Sequence, residues 1–320
     1  MGVHTIHNSK RVIAIGNKII LRKESETFHE FIISLLLSSF GEEWLKNQEN
    51  VKSNEQHIVF KWYNEYLLLK KTNAKFDQEK KVWIAKSTGN VWAFLSFCYD
   101  FYVLKCKNLI SQSFLKRLKD FHNFQGARYE LAIARIFVKE NYKLKFVEDS
   151  IKHEEFLITK SHTNQTISIE TKSRHREGVL NKSGEMKGIE DLSIGVHRLL
   201  NQALKKEISN PFIVFIDFNI PFEDTEHPTQ KKWWREIFKA IDSFDEISEV
   251  NPEKYTMLIG TNFSFHYDGQ NEVDIKKYHL DTSSIIPLYS KFPLKLETIN
   301  EILAIVENYG QIPFSWEDVE

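Results

Sequence analysis

Cysteine is scarce: the 320 residues hold two, Cys98 and Cys106. Two thiols build no disulfide framework and match no zinc spacing, so neither a disulfide-stapled domain nor a zinc module is expected. They read as the reduced thiols of a cytoplasmic protein. Neither sign of charge dominates: 43 Lys and Arg stand against 44 Asp and Glu, so the molecule as a whole is no polycation. No apolar run reaches bilayer length. The strongest, Trp92 to Leu104, is interrupted by Asp100 and reads as a buried helix; no membrane partner is expected. The opening Met1-Gly2-Val3-His4 lacks the basic-then-apolar start of a signal peptide, and Thr5 and Asn8 fit a myristoylation motif poorly. Internal repeats and low-complexity tracts are missing. Gly178, Gly184 and Gly188 do not follow a strand at phosphate-loop spacing, so no nucleotide cradle is read there. They suggest a loop able to close over a substrate.

Aromatic residues, by contrast, are plentiful: 24 Phe, 11 Tyr and 7 Trp argue for a packed globule. Residues 1–120 read as a separate, mainly helical region. Arg11 to Leu21 has the pattern of a hairpin with Gly16-Asn17 at its turn. Thr27 caps a helix that runs to Phe40 and stops at Gly41. Further helices are expected over about 54–71, 90–108 and 111–122. The charge is uneven: residues 51–120 hold 13 Lys and Arg against 6 Asp and Glu, whereas acids are in clear excess over 221–320. A basic face for a polyanion is one reading of this block, and solvated helix surface the other. Lys70, Lys71, Lys75, Lys80, Lys81 and Trp83 mix cations with an aromatic, a mix that can bind single strands; the plainer reading, a solvent-facing loop, is preferred.

From residue 121 the pattern alternates helix and strand, which predicts an α/β core. Phe124 to Val138 is a helix apolar on nearly every side, and it holds Glu130; a buried Glu needs a partner or a metal. Tyr142 to Val147 is a strand. Glu154 and Glu155 stand directly before the apolar run Phe156-Leu157-Ile158. Then comes Ile167-Ser168-Ile169-Glu170-Thr171-Lys172. Alternation along a strand puts Glu170 and Lys172 on one face, a carboxylate beside a cation that can hold or polarise water. A salt bridge on a solvated face is the plainer alternative. Arg174, His175 and Arg176 follow at once and suit phosphate contacts and proton transfer, or else form a basic surface loop. Asp191 to Glu207 is a helix carrying His197, Arg198, Gln202, Lys205 and Lys206. Pro211 to Pro221 bounds a buried central strand; its Asp217 is read as a structural hydrogen-bond partner or cap in preference to a residue lining a site. Lys231 to Phe244 is an amphipathic helix, Tyr255 to Thr261 a strand continuing to Tyr267, and Leu294 to Tyr309 a closing helix. Trp316, beside an acidic tail, is expected at the surface.

Helix with Glu130, strand, acid-led strand, Glu170-x-Lys172 strand: this order resembles the PD-(D/E)XK, or restriction-endonuclease-like, nuclease superfamily, over about residues 121–220. The resemblance implies an α/β fold with a mixed central sheet flanked by helices, making 121–320 a nuclease domain with a C-terminal extension. Residues 1–120 would then be a specificity or interaction module. It implies a metal-dependent endonuclease, active in restriction, repair or phage defence, with DNA favoured over RNA. Mg2+ or Mn2+ would bind Glu155, Glu170 and the Thr171 carbonyl, and Glu130 would add a contact. Lys172 would serve the attacking water, while Arg174, His175, Arg176 and Gln202 would approach substrate. Glu155 stands where the family usually has Asp, without a preceding Pro, and Glu154 is a substitute. One such site cuts one strand, so double-strand cutting favours a homodimer or a partner protein. Two alternatives stay open: a catalytically inactive protein of the same fold that binds nucleic acid or acts as a structural partner, and an unrelated α/β protein.

Overall fold

A computed structural model of the chain describes residues 3–79, 82–147, 152–160, 164–182, 184, 192–223, 230–242, 247–274 and 280–319. The chain divides into two units. The first gathers residues 1–127, 265–278 and 310–320; the second gathers 128–264 and 279–309. The division thus falls after residue 127, later than the expected 120, and two later segments return to the first unit.

In the first unit, β1 (His4–His7), β2 (Lys10–Ile15) and β3 (Lys18–Lys23) form an antiparallel sheet. Gly16 sits at φ 55° in the expected turn, a conformation that costs glycine little. Helix α1 (Phe28–Phe40) opens with a reciprocal capping box between Thr27 and Glu30, which satisfies two otherwise orphaned amides. Helices α2 (Glu42–Asn50) and α3 (Ile58–Thr72) follow. The stretch after α3 is not the expected loop. Strands β4 (Lys75–Asp77) and β5 (Val82–Ile84) form a two-stranded ribbon of their own, because Phe76 and Trp83 pair across it. Helix α4 (Gly89–Cys106) is buried from Val91 to Leu104 on every side, as its apolar run requires. Helix α5 (Gln112–Lys119) completes the set.

Trp316 is not at the surface. It is 4% exposed, and its ring packs on Phe28 and Phe31 of α1 with the Arg11 guanidinium over it at 4.5 Å. Its indole N–H donates to the Glu26 carbonyl at 2.7 Å.

Helix α6 (Phe124–Lys139) leads into the second unit. Strands β6 (Lys143–Phe146), β7 (Phe156–Thr159) and β8 (Thr166–Ser173) run as an antiparallel meander. Helix α7 (Leu192–Leu204) crosses to β9 (Phe212–Asp217), which pairs parallel with β8. Helix α8 (Lys232–Asp242) leads to β10 (Met257–Asn262), parallel to β9, and β11 (Asp281–Ile285) closes that edge antiparallel. Helix α9 (Leu296–Glu307) comes last. The described residues therefore form one mixed six-stranded sheet, in the order β11-β10-β9-β8-β7-β6. Strand β10 stops at Asn262, short of the expected Tyr267. Asn262 turns its side-chain carbonyl to the Ile220 amide at 2.9 Å, and Phe265–Asp268 form a 3-10 turn.

The two faces of this sheet are distinct. One carries Val214, Ile216 and Leu258 against Val196, Leu199, Leu200 and Ala203 of α7 and Trp233 and Ile237 of α8. The other carries Phe215 and Thr261 against α6: the rings of Phe215 and Phe137 lie 6.0 Å apart, and Tyr129 shares a 2.8 Å hydrogen bond with Thr261. Side-chain alternation makes this an unambiguous partition.

Candidate active site

Strand β8 has no solvated face. Its burial runs through both sets of side chains, and Glu170 is 0% exposed. In the parallel register Glu170 stands beside Val214 and Lys172 beside Ile216, so both point to the α7 face. Thr171 and Ser173 stand beside Phe215 and Asp217, on the α6 face. The salt bridge of the plainer reading does form, since Lys172 Nζ donates to Glu170 Oε1. It forms inside the protein rather than on its surface, and Lys172 also lies 3.9 Å from Glu155 Oε1.

Glu155 arrives by the antiparallel ladder of β7 on β8. Phe156 opposes Ile169, and the pairing carries on one residue further: the Glu155 amide donates to the Ile169 carbonyl at 3.1 Å, and the Val147 amide to the Glu155 carbonyl at 3.0 Å. Glu155 therefore stands across from Glu170. Glu154, the residue before Glu155, accepts from the Ser168 hydroxyl at 3.0 Å. It lines an open groove of about 680 Å3 with Lys145, Phe146, His153, Leu157 and Glu207.

A second lysine enters from beyond the end of α7. Lys206 Nζ lies 3.3 Å from Glu170 Oε1, and the residue is 6% exposed. Its position is fixed by main chain. The Lys206 amide donates back to Ala203 at 3.1 Å, and Lys254 Nζ caps the helix end through the carbonyls of Leu204 and Lys206. The resemblance implies Gln202 near the site. Gln202 is exposed, because α7 turns Leu199, Leu200 and Ala203 inward, and the residue one helical turn further on reaches Glu170.

Both lysines act on the same oxygen. Glu170 Oε2 is buried and, among the described residues, makes no hydrogen bond. Burial pushes the Glu170 pKa up to about 7; Lys172 and Lys206 pull it down, and the Glu155 charge adds to the rise. A buried glutamate oxygen left unpaired is costly, and an incoming hard cation or a water is the chemistry that would satisfy it. The donors fit a divalent cation in kind, as two carboxylates of which one has an oxygen to spare. Among the described residues, however, no group of three or more His, Cys, Asp or Glu side chains gathers. A cation held by Glu155 and Glu170 would therefore fill its remaining positions with water or a main-chain carbonyl such as that of Thr171.

The other expected residues lie elsewhere. Glu130 is 3% exposed on α6, which packs on the opposite face of the sheet from Glu170 and Lys172. Arg174 and Arg176 are buried, 1% and 5% exposed, and turn inward: they donate to the carbonyls of Phe218 and Asn219, each at 3.2 Å. Arg174 lies against Gly195 of α7, where a Cβ would meet its Nε at 3.1 Å. These two arginines tie the segment after β8 to the segment after β9. His175, between them, is exposed, and partial burial with the charges of Lys182 and Arg198 holds its pKa below the ordinary value. Asp217 is the structural acceptor that its sequence context suggested: fully buried, it takes the Ser173 hydroxyl at 3.0 Å and the amides of Asn219 and Phe263, each at 3.3 Å. Of the glycine-rich loop, Gly178 and Gly184 both take positive φ, and Gly188 lies outside the described residues.

No protein-family model, no curated protein and no solved structure matches this chain.

Proposed function

We propose that this chain is a metal-dependent nuclease of the restriction-endonuclease-like kind, hydrolysing phosphodiester bonds of nucleic acid, with DNA favoured over RNA. The observation that carries the reading is the buried Oε2 of Glu170, unshared among the described residues, on a carboxylate whose other oxygen meets Lys172, which also lies 3.9 Å from Glu155 Oε1. The order on which the resemblance rests, helix, strand, acid-led strand and Glu170-x-Lys172 strand, supports this reading. In this reading Glu155 and Glu170 hold Mg2+ or Mn2+. When bound, such an ion lowers the pKa of its water and stabilises the leaving oxygen. Lys172 orients the attacking water and offsets charge at the phosphorus. Lys206 pins Glu170 Oε1, so that Oε2 is the oxygen left to bind. Glu130 has no part in this assignment.

A second reading, binding of nucleic acid without cleavage, is favoured by the two lysines already engaged on Glu170 Oε1. Cleavage assays separate the two. Labelled single- and double-stranded DNA and RNA are incubated with Mg2+, Mn2+ or EDTA, beside Glu170→Ala and Lys172→Ala variants whose fold is checked by circular dichroism. The nuclease reading expects metal-dependent cutting reduced at least about a hundredfold in both variants. Cutting that survives in both variants overturns the site assignment. No cutting on any substrate, together with no heat of Mg2+ or Mn2+ binding by calorimetry, favours the binding reading.

A further inference from the structure

The β4–β5 ribbon of the first unit shows two aromatic rings to solvent. Phe76 and Trp83 stand opposite each other in the register and meet edge to face, with centroids 5.4 Å apart. Even so, Phe76 remains 50% exposed and Trp83 63%. A cross-strand aromatic pair steadies a short ribbon, and that accounts for the ring surfaces that touch. It leaves the outer surfaces of both rings open to solvent.

The neighbouring charge says what kind of partner fits. Between Lys70 and Lys86 the sequence holds six lysines and two acids, Asp77 and Glu79. Lys70 is engaged by Glu30, and Lys86 lies 3.4 Å from Glu272. Asp77 accepts the Glu79 amide at 3.0 Å. Lys71 and Lys75, at the end of α3 and the start of β4, are exposed. The balance is positive, so the partner is anionic. Planar rings in a cation-rich segment match an anion that itself alternates planar groups and charges. Duplex bases are stacked on one another and offer their faces only at the ends, whereas unpaired bases are open to both rings.

We propose that the β4–β5 ribbon is a contact for single-stranded nucleic acid, with Trp83 and Phe76 stacking on unpaired bases and Lys71 and Lys75 meeting the adjoining phosphates. The proposal draws nothing from the Glu170 cluster.

The test uses the full chain in EDTA, so that cleavage is suppressed and binding alone is read. Fluorescence anisotropy is measured on a labelled oligo-dT strand, a labelled mixed-sequence strand and the matching duplex. Single strands are expected to bind more tightly than duplex, and to quench tryptophan emission. Trp83→Leu, which keeps apolar bulk but removes the ring, is expected to weaken single-strand binding about tenfold, whereas Trp83→Phe stays within about threefold of wild type. Joint Lys71→Gln and Lys75→Gln substitution is expected to flatten the salt dependence. Unchanged affinity in a Phe76→Leu, Trp83→Leu double variant overturns the proposal. So does a preference for duplex, or tighter binding of the same ribbon to phosphatidylserine vesicles than to either strand. Absence of cleavage in the nuclease assay and absence of ring-dependent binding here are separate results, so each reading fails on its own.

Discussion

At Glu170 the protein keeps a carboxyl group whose ionisation falls at neutral pH. Its pKa of about 7 in the folded chain lies above the roughly 4.3 of an unfolded glutamate. The folded state therefore binds the extra proton between those values. The associated stability is fully present below the unfolded pKa and is lost as pH rises through about 7. Glu170→Gln removes the titration but keeps the shape. The variant should gain stability relative to wild type between pH 5 and pH 8, by about 2–3 kcal/mol, read as the difference in urea midpoints at each pH. A difference that stays flat across that range would show that Glu170 ionises normally. The strand pattern alone made Glu170 and Lys172 legible as neighbours, since alternation fixes the face. It did not reveal that the face is covered, because that depends on α7 packing over it. Lys206 was hidden for a related reason. It lies beyond the regular helix, where the chain turns back on Ala203, and helical spacing cannot reach past the last turn. The only sequence sign was a lysine after an amphipathic helix, which is ordinarily a solvated C-terminal charge.

At the scale of elements the hydrophobic periods carried most of the reading. The Thr27 cap, the all-round apolar α4, the fully buried β9 and the amphipathic α8 each follow from local pattern, and each stands close to its expected bounds. The ends of elements were less legible, because side chains from elsewhere set them. Strand β10 ends where Asn262 is taken by Ile220, a partner 42 residues earlier. Gly260 within β10 shows the same long-range control. A Cβ there would meet the Phe218 ring at 1.9 Å, and Phe218 is 1% exposed and set against Trp233. Gly260→Ala should therefore destabilise, by about 2–4 kcal/mol, even though alanine suits a strand no worse than glycine. Pairing it with Phe218→Leu should recover part of the loss, because the smaller side chain vacates the clash. Thermal unfolding of the two single variants and the double variant measures the coupling; strict additivity would count against the contact.

Over the whole molecule, the first unit is closed by residues far apart in sequence. The His29 ring bonds the Pro313 carbonyl at 3.0 Å, His4 bonds the Trp316 carbonyl at 2.9 Å, and the Trp316 indole fills the space between Phe28 and Phe31. No local pattern announces this, and an aromatic among acids reads as surface. Trp316→Ala should cost about 3–5 kcal/mol and should loosen α1 and β2 first. Hydrogen exchange on the intact chain checks it: amides of α1 and β2 should lose protection, and unchanged protection there would place Trp316 outside the core. Within the second unit, the cluster at Glu170 draws on β7, β8 and the end of α7, with Lys254 holding the last of these. Among the described residues no helix is long and apolar enough to cross a membrane.

The placement of Trp316 also sets a clock on biosynthesis. The carbonyl that receives its indole belongs to Glu26, 290 residues earlier. At roughly 5–20 residues per second, a ribosome takes about 15–60 s to add that length. For the later part of that interval Phe28 and Phe31 are outside the ribosome without the ring that covers them. Chaperones that hold exposed aromatic segments thus have a defined window on this chain, and it closes when residue 316 docks.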